Sequence, residues 1–385
     1  MALEKSPALR ALRAQVGEGQ AQVDAATSLS NPELRVGNFR SDRLLRKVEA
    51  DAFEDFSIGL RWSPPNLGAQ AARRAEAERR VEQTEADLEQ ARRELVAKVR
   101  ALHASAISYQ AQVEHARTAV ALRGELKKLV GRRLEQQAAT LLDQSLADLD
   151  QLDALAALQE VESRLRQTLH DLRDELCLSA GTPLELSPAD APHCAAPTGD
   201  LATLLANAKS TSPKLRGFRA RVEEVEAEKT RMWLELVPWF DFIQLSYVLG
   251  GRDDPDYVAA RLSIPLPLLD WNRPELRSLG SRRQRIEAEQ QAADQELESQ
   301  IRRTVEELAD QAALVERYHE AEPVLDKGLA LLRRALEAGQ ADLVQMALVQ
   351  NRTLGARRAQ LRVLLQCQLT RIDLDRLIAD DWRKP

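Results

Sequence analysis

The chain states one plan twice. Ser6-Pro7-Ala8-Leu9-Arg10 returns as Ser212-Pro213-Lys214-Leu215-Arg216, and Pro32 returns as Pro238, each pair 206 residues apart. Further on the spacing becomes 202: Glu94-Leu95 matches Glu296-Leu297, Leu134-Glu135 matches Leu336-Glu337, and Asp171-Leu172 matches Asp373-Leu374. A duplication of this length constrains the architecture before any local pattern is considered, because a fold proposed for one half must also serve the other. The first repeat covers residues 1–178 and the second 201–385. The linker at 179–200 is rich in proline, alanine and threonine and reads as irregular structure.

Each half opens with a helical pattern. Leu9, Leu12, Val16 and Val23 stand at helix-like spacings between Ser6 and Ser30, and the corresponding stretch runs from Ser212 to Val237. Pro32 and Pro238 end these helices, since proline has no amide donor and disfavours helix in the residue before it. Period-2 segments follow. Phe56, Ile58, Leu60 and Trp62 alternate with Ser57, Gly59 and Arg61. Ile243, Leu245, Tyr247 and Leu249 alternate with Phe242, Gln244, Ser246 and Val248, and Val258, Ala260, Leu262 and Ile264 with Tyr257, Ala259, Arg261 and Ser263. Glu33 to Phe39 carries the weakest alternation. Each half therefore predicts two strands, joined by the polar loop Ser41–Asp55 or Gly250–Asp256. The clean segment Phe56–Trp62 is about seven residues, short of the roughly 9–11 of a tilted membrane-spanning strand, and Glu54 falls on its apolar face.

After Pro64-Pro65, and again after Pro265 and Pro267, the period changes to seven. Val81, Leu88, Leu95, Leu102 and Tyr109 form one row, and Val99, Ala106, Val113 and Val120 its companion; Ile301, Leu308 and Val315 carry the matching row in the second half. The pattern predicts a helix over 69–133, on the order of 100 Å long at 1.5 Å per residue. A return helix follows over 141–178, with its mate over 343–378. Pro323 and Gly328 are expected to interrupt or kink the second long helix. Charged residues make 30% of the chain and aromatics 4%, the mix of long helices and coiled coil. The expected fold class is mainly α with a small β part: helix, strand, strand and long helical hairpin, duplicated.

The same residues exclude most chemistry. The net charge of −6 is interspersed, so no basic footprint for nucleic acid exists. No apolar run is long enough for a transmembrane helix. The N-terminus lacks the basic-then-apolar pattern of a secretory signal, which leaves two readings: a cytoplasmic chain that truly starts at Met1, or one whose signal has been removed. His103, His115, His170, His193 and His319 are dispersed without an HExxH spacing, and His193-Cys194 reads as plain loop. Only Met232 and Met346 follow Met1, so no methionine path for copper is visible. There is no GxSxG, no phosphate-cradling glycine loop and no GxGxxG. No enzyme, cofactor or metal site is expected. Cys177, Cys194 and Cys367 form no CxxC; free thiols are expected, with a Cys177–Cys194 bridge as the alternative in an oxidising compartment.

Helix, strand, strand and long hairpin performed twice resembles the TolC-like outer membrane efflux proteins, including the outer-membrane components of heavy-metal exporters. The resemblance is carried by Asn31-Pro32-Glu33-Leu34 at the first strand, Ser263-Ile264-Pro265-Leu266 at the last, and Leu336-Glu337-Ala338-Gly339 leading to Leu343. It implies a homotrimer whose strands close a 12-stranded β-barrel in outer-membrane lipid and whose helices form a coiled-coil α-barrel across the periplasm. It also implies a passive exit duct of a tripartite efflux or type I secretion system, docked by a periplasmic adaptor (membrane fusion) protein and an inner-membrane pump. On this reading the periplasmic tip and entrance comprise Leu134, Gln137, Leu141 and Asp143 in the first hairpin, with Leu336, Gly339, Leu343, Gln345 and Leu348 in the second.

Some positions depart from the family pattern. Gln137 stands where the second half has Gly339, so the two turns are expected to differ. Gln345 and Leu348 occupy places where the family often has the aspartates of an acidic constriction. Asp143 is the corresponding first-half acid, read either as part of an acidic ring or as a solvated helix-end aspartate. Trp62 and Tyr257 are expected at the lipid interface and Trp239 in ordinary packing. The competing reading is a soluble, signal-less coiled-coil scaffold that kept the duplicated frame.

Overall fold

The computed structural model describes residues 2–40, 54–179, 181–186, 194–195, 199–249, 255–267, 271–337 and 343–378. In chain order they form α1 (Ala2–Lys5), α2 (Pro7–Ala26), β1 (Glu33–Arg40), β2 (Glu54–Trp62), α3 (Leu67–Glu135) and α4 (Leu141–Glu175). Then come α5 (Leu201–Thr211), α6 (Pro213–Leu236), β3 (Phe242–Leu249), β4 (Tyr257–Ser263), α7 (Arg273–Glu337) and α8 (Leu343–Ile378). The recurring Ser-Pro has a local cause. Proline at the first helical position loses no hydrogen bond, because that amide has no partner within the helix. Ser6 precedes it at the start of α2, and its hydroxyl lies 3.5 Å from the Leu9 amide.

The chain divides into two compact units, each assembled from pieces of both repeats. One comprises residues 11–88 and 213–293 and holds the sheet. Its strands lie in the order β1-β2-β3-β4, all antiparallel. β2 extends to Glu54, beyond the clean alternation, because Glu54 and Asp55 still pair with Arg40 and Phe39. In the same unit, Val225 of α6 packs with Leu279 and Ile286 of α7. Two buried carboxylates, Glu76 on α3 and Glu224 on α6, are held in a network of arginines. Arg80 reaches both, Arg231 donates to Glu76 at 3.0 Å, and Arg80 Nε donates to Glu224 at 2.8 Å. Buried charges persist only when paired in this way.

The other unit comprises residues 1–10, 89–212 and 294–385. Its main core joins Leu204 and Ala208 of α5, Ile301 and Leu308 of α7, and Cys367, Leu374, Leu377 and Ile378 of α8. Ile301 and Leu308 are the heptad pair read from the second half. In this part of α3, Ala106, Val113, Ala116 and Val130 are buried, while Leu95, Leu102 and Tyr109 remain half-buried. A second cluster of Leu126, Val130 and Ala147 closes the α3–α4 hairpin. Arg123 pairs with Asp150 at 2.7 Å and Lys127 with Asp148 at 2.9 Å across it.

Two expectations are corrected, and one helix is added. α7 is not interrupted at Pro323 and Gly328, since the proline removes one amide donor from a helix held by many others. α5 was hidden inside a stretch read only as the opening of the second repeat; its burial against α7 and α8 decides its state. Cys194 is neither free nor paired with Cys177. It forms a disulfide with Cys367, 173 residues away, their Cα atoms 5.8 Å apart, leaving Cys177 as the exposed free thiol. Sequence spacing cannot reveal such a pair, because the packing of Cys194 against the core that holds Cys367 creates it.

Candidate functional site

The sheet is inside out. Cα pairing places Leu34, Leu60, Leu245 and Ala260 in one row, and Val36, Ile58, Tyr247 and Val258 in the next. Trp62, Ile243 and Leu262 form the row on the other side. These side chains share one apolar face, and it is the exposed one: Leu34 is 68% exposed and Leu245 58%. The opposite face carries Ser57, Gln244 and Ser246, all buried, with Ser246 at 5% exposure. A water-soluble sheet buries its apolar face, so this arrangement has the reverse polarity of a soluble core. Gln244 Nε2 donates to Ser246 Oγ at 2.8 Å, and Ser57 Oγ to the Gly37 carbonyl at 3.2 Å. Gly59 is required there: a Cβ would meet the Leu245 carbonyl oxygen at 2.8 Å and collide with Ser246.

The aromatics are sorted by this register. Trp62 stands on the apolar face at the helix-proximal end and donates its indole N–H to the Ser30 carbonyl at 3.1 Å. Tyr257 does not join it. Its Cα partner is Val248, so it stands on the polar face, in the row of Gly37 and Ser57. The tyrosine of the apolar face is Tyr247, whose hydroxyl lies 2.7 Å from Asp256; the alternation within β3 already contained that signal. Trp239 donates to the Pro64 carbonyl at 3.0 Å and meets Phe240 edge-on. Among the described residues no helix is long and apolar enough to cross a membrane.

The first hairpin end is built by two caps. Leu134 lies in the last turn of α3, and Gln137 follows with φ 58°, the left-handed conformation that glycine adopts most easily. The Ala138 amide donates to the Arg133 carbonyl at 2.8 Å and the Gln137 amide to the Leu134 carbonyl at 2.9 Å, closing the helix. Thr140 then caps α4. Its hydroxyl accepts the Asp143 amide, while the Asp143 carboxylate accepts the Thr140 amide at 2.8 Å and hydroxyl at 2.7 Å. These bonds from Thr140 hold the Asp143 pKa below its ordinary value. Asp143 is therefore a solvent-exposed capping group. Leu141, Leu142, Leu146, Leu149 and Leu152 lie exposed along the start of α4.

In the second hairpin Leu336 lies in the last turn of α7, and Leu343, Gln345 and Leu348 lie in the first turns of α8, with Leu348 exposed. Gly339 and His193 lie outside the described residues, so the two turns are not compared. Further along the hairpins, His115 of α3 has Nε2 3.1 Å from the Leu354 carbonyl of α8. A cleft of about 220 Å³ opens there, lined by His115, Gln350, Thr353 and Arg357. Burial lowers the His115 pKa, the bond to Leu354 partly opposes this, and Arg357 and Arg358 lower it further.

Comparison with known proteins gives two positive results. Residues 1–176 match the family model for outer membrane efflux proteins. The chain superposes on the outer-membrane channel OprN with a TM-score of 0.80 at 17% identity, covering 99% of this chain and 88% of that one. For the outer membrane protein VceC of Vibrio cholerae the TM-score is 0.79 at 17% identity, covering 99% and 95%. For the open state of the MtrE outer membrane channel of Neisseria gonorrhoeae it is 0.77 at 16%, covering 98% and 87%. No curated protein matches the sequence.

Proposed function

We propose that this chain, whose first half matches the outer membrane efflux family and whose whole fold is that of the TolC-like channels, is the outer-membrane exit duct of an export system. The observation that carries the reading is the reversed sheet, apolar on its exposed face and polar on its buried one. That polarity suits strands with lipid outside and a wet lumen inside. Four strands leave β1 and β4 as open edges, which lipid does not tolerate. Copies of the chain satisfy both edges by pairing β1 of one with β4 of the next, and three copies give a 12-stranded barrel.

Conduction is passive: the chain offers a lined path, and energy for export comes from an inner-membrane pump joined through a periplasmic adaptor. The exposed leucines at the start of α4 fit burial against such neighbours or against further copies of the chain. Asp143 is kept from the list of gate acids, because its carboxylate is engaged by Thr140. The Cys194–Cys367 bridge favours an oxidising compartment such as the periplasm over the cytoplasm.

Fractionation of cells expressing the native gene tests the reading. Recovery in the outer-membrane fraction, resistant to high salt and alkaline wash, is the expected result. Recovery wholly in the soluble fraction supports the coiled-coil scaffold and ends the duct reading.

A further inference from the structure

The apolar face of the sheet is too short for a bilayer. Its outermost rows hold Trp62 and Ile243 at the helix end and Phe56 and Leu249 at the other, six residues apart along β2. Six residues rise about 20 Å along a strand. At a tilt of about 45° that gives roughly 14 Å of height, against the roughly 25 Å of a barrel's apolar band. About 10 Å is missing.

Apolar surface continues at the helix end. Leu29, Val237, Leu266 and Trp271 in the connecting segments are each more than half exposed, and so is Trp233, one turn before the end of α6. Then the pattern stops. Among the described helical residues of this unit, Trp233 and Leu67, the first residue of α3, are the exposed large apolar side chains; α2 and the unit's part of α7 carry none. The edge of this collar is therefore sharp. From Ile243 back to Trp233 lie the connecting residues 237–241 and one helical turn, the turn alone worth about 5 Å. The collar is long enough to supply what the sheet lacks.

Its composition points to lipid. Tryptophan, with an apolar ring and a polar N–H, gathers where hydrocarbon meets water. At the same junction a cleft of about 630 Å³ is lined by Trp239 and Phe240 together with Arg73 and Asp241, the mixture that suits a headgroup layer. Val237 leads into β3, a central strand, so closing a barrel through β1 and β4 does not cover it. From this continuity we propose that the membrane boundary on this side runs along the helix ends, with Trp233 at headgroup depth and lipid covering Leu29, Val237 and Leu266. The inference rests on the duct reading, since it extends the lipid-facing surface of the sheet.

The test uses the full chain folded into vesicles whose lipids carry bromine either near the headgroup or near the chain ends, reading the loss of tryptophan emission. One variant keeps Trp233 alone, through Trp62→Phe, Trp239→Phe, Trp271→Phe and Trp382→Phe; a second keeps Trp62 alone, with Trp233→Phe in its place. Both are expected to lose emission, Trp233 more to the shallow bromine than to the deep one. Trp62 quenched with Trp233 untouched, as when another copy covers the helix ends, overturns the inference and leaves the duct standing. If neither is quenched, the duct falls and the collar with it. If the fourfold variants do not insert, Trp233→Phe in the parent chain decides. Shallow quenching should then fall, and an unchanged loss overturns the inference.

Discussion

Replacing Leu245 by arginine separates a lipid-facing sheet from a water-facing one. Leu245 sits inside the apolar face, with Leu60 and Ala260 as Cα partners. The row of Val36, Ile58, Tyr247 and Val258 lies on one side and that of Trp62, Ile243 and Leu262 on the other. It is 58% exposed, so an arginine fits without displacing a neighbour. If water covers this face, Leu245→Arg changes stability by no more than about 0.5 kcal/mol, the usual range for exposed positions. If lipid covers it, the charge costs roughly 2–4 kcal/mol near the bilayer midplane. A trimer carries the substitution three times, so the assembly loses about 6–12 kcal/mol, several powers of ten in the folded fraction. The assay is folding into lipid vesicles titrated with urea, read by protease protection of the inserted barrel. A large fall in midpoint, or failure to insert, is expected. An unchanged midpoint with full insertion refutes the lipid-facing assignment.

Three further outcomes follow from local chemistry. Gln137→Gly relieves a side chain from the left-handed conformation, and the urea midpoint should rise by an amount worth about 1 kcal/mol; a fall would contradict the turn geometry. Because burial sets the His115 pKa below the ordinary 6.5, the unfolded chain takes up that proton first. Stability is thus complete above pH 6.5 and declines as pH falls through 6.5 toward the lower folded value, and His115→Gln should flatten the decline measured between pH 7 and 5. Denatured without reductant, the chain should take one alkyl group, on Cys177, and after reduction three; Cys194→Ser should lower stability by about 2–4 kcal/mol.

Much of this was legible in the residues. Proline positions, period-2 segments and heptads placed α2, α6, both strand pairs and the long hairpins, because each depends on local spacing that one helix or strand makes visible. α8 covers the stretch Leu343–Ile378 that its pattern marked as helical. The reversed polarity of the sheet was also latent in the alternation of Leu245 with Ser246, but which face is exposed depends on pairing with β2 and β4. What sequence spacing could not supply is long-range. Cys194 finds Cys367 only through packing against the core that α5, α7 and α8 share, and α5 packs there against Ile301 and Leu308. Asp143 is the opposite case, since its bonds to Thr140 make a local cap that the three-residue spacing from Thr140 already permitted.

The most direct test of the account is the mass of the detergent-extracted native protein. A reversed four-stranded sheet with two open edges calls for closure by other copies, so a single species of three chains is expected once detergent is subtracted. A stable monomer would contradict it.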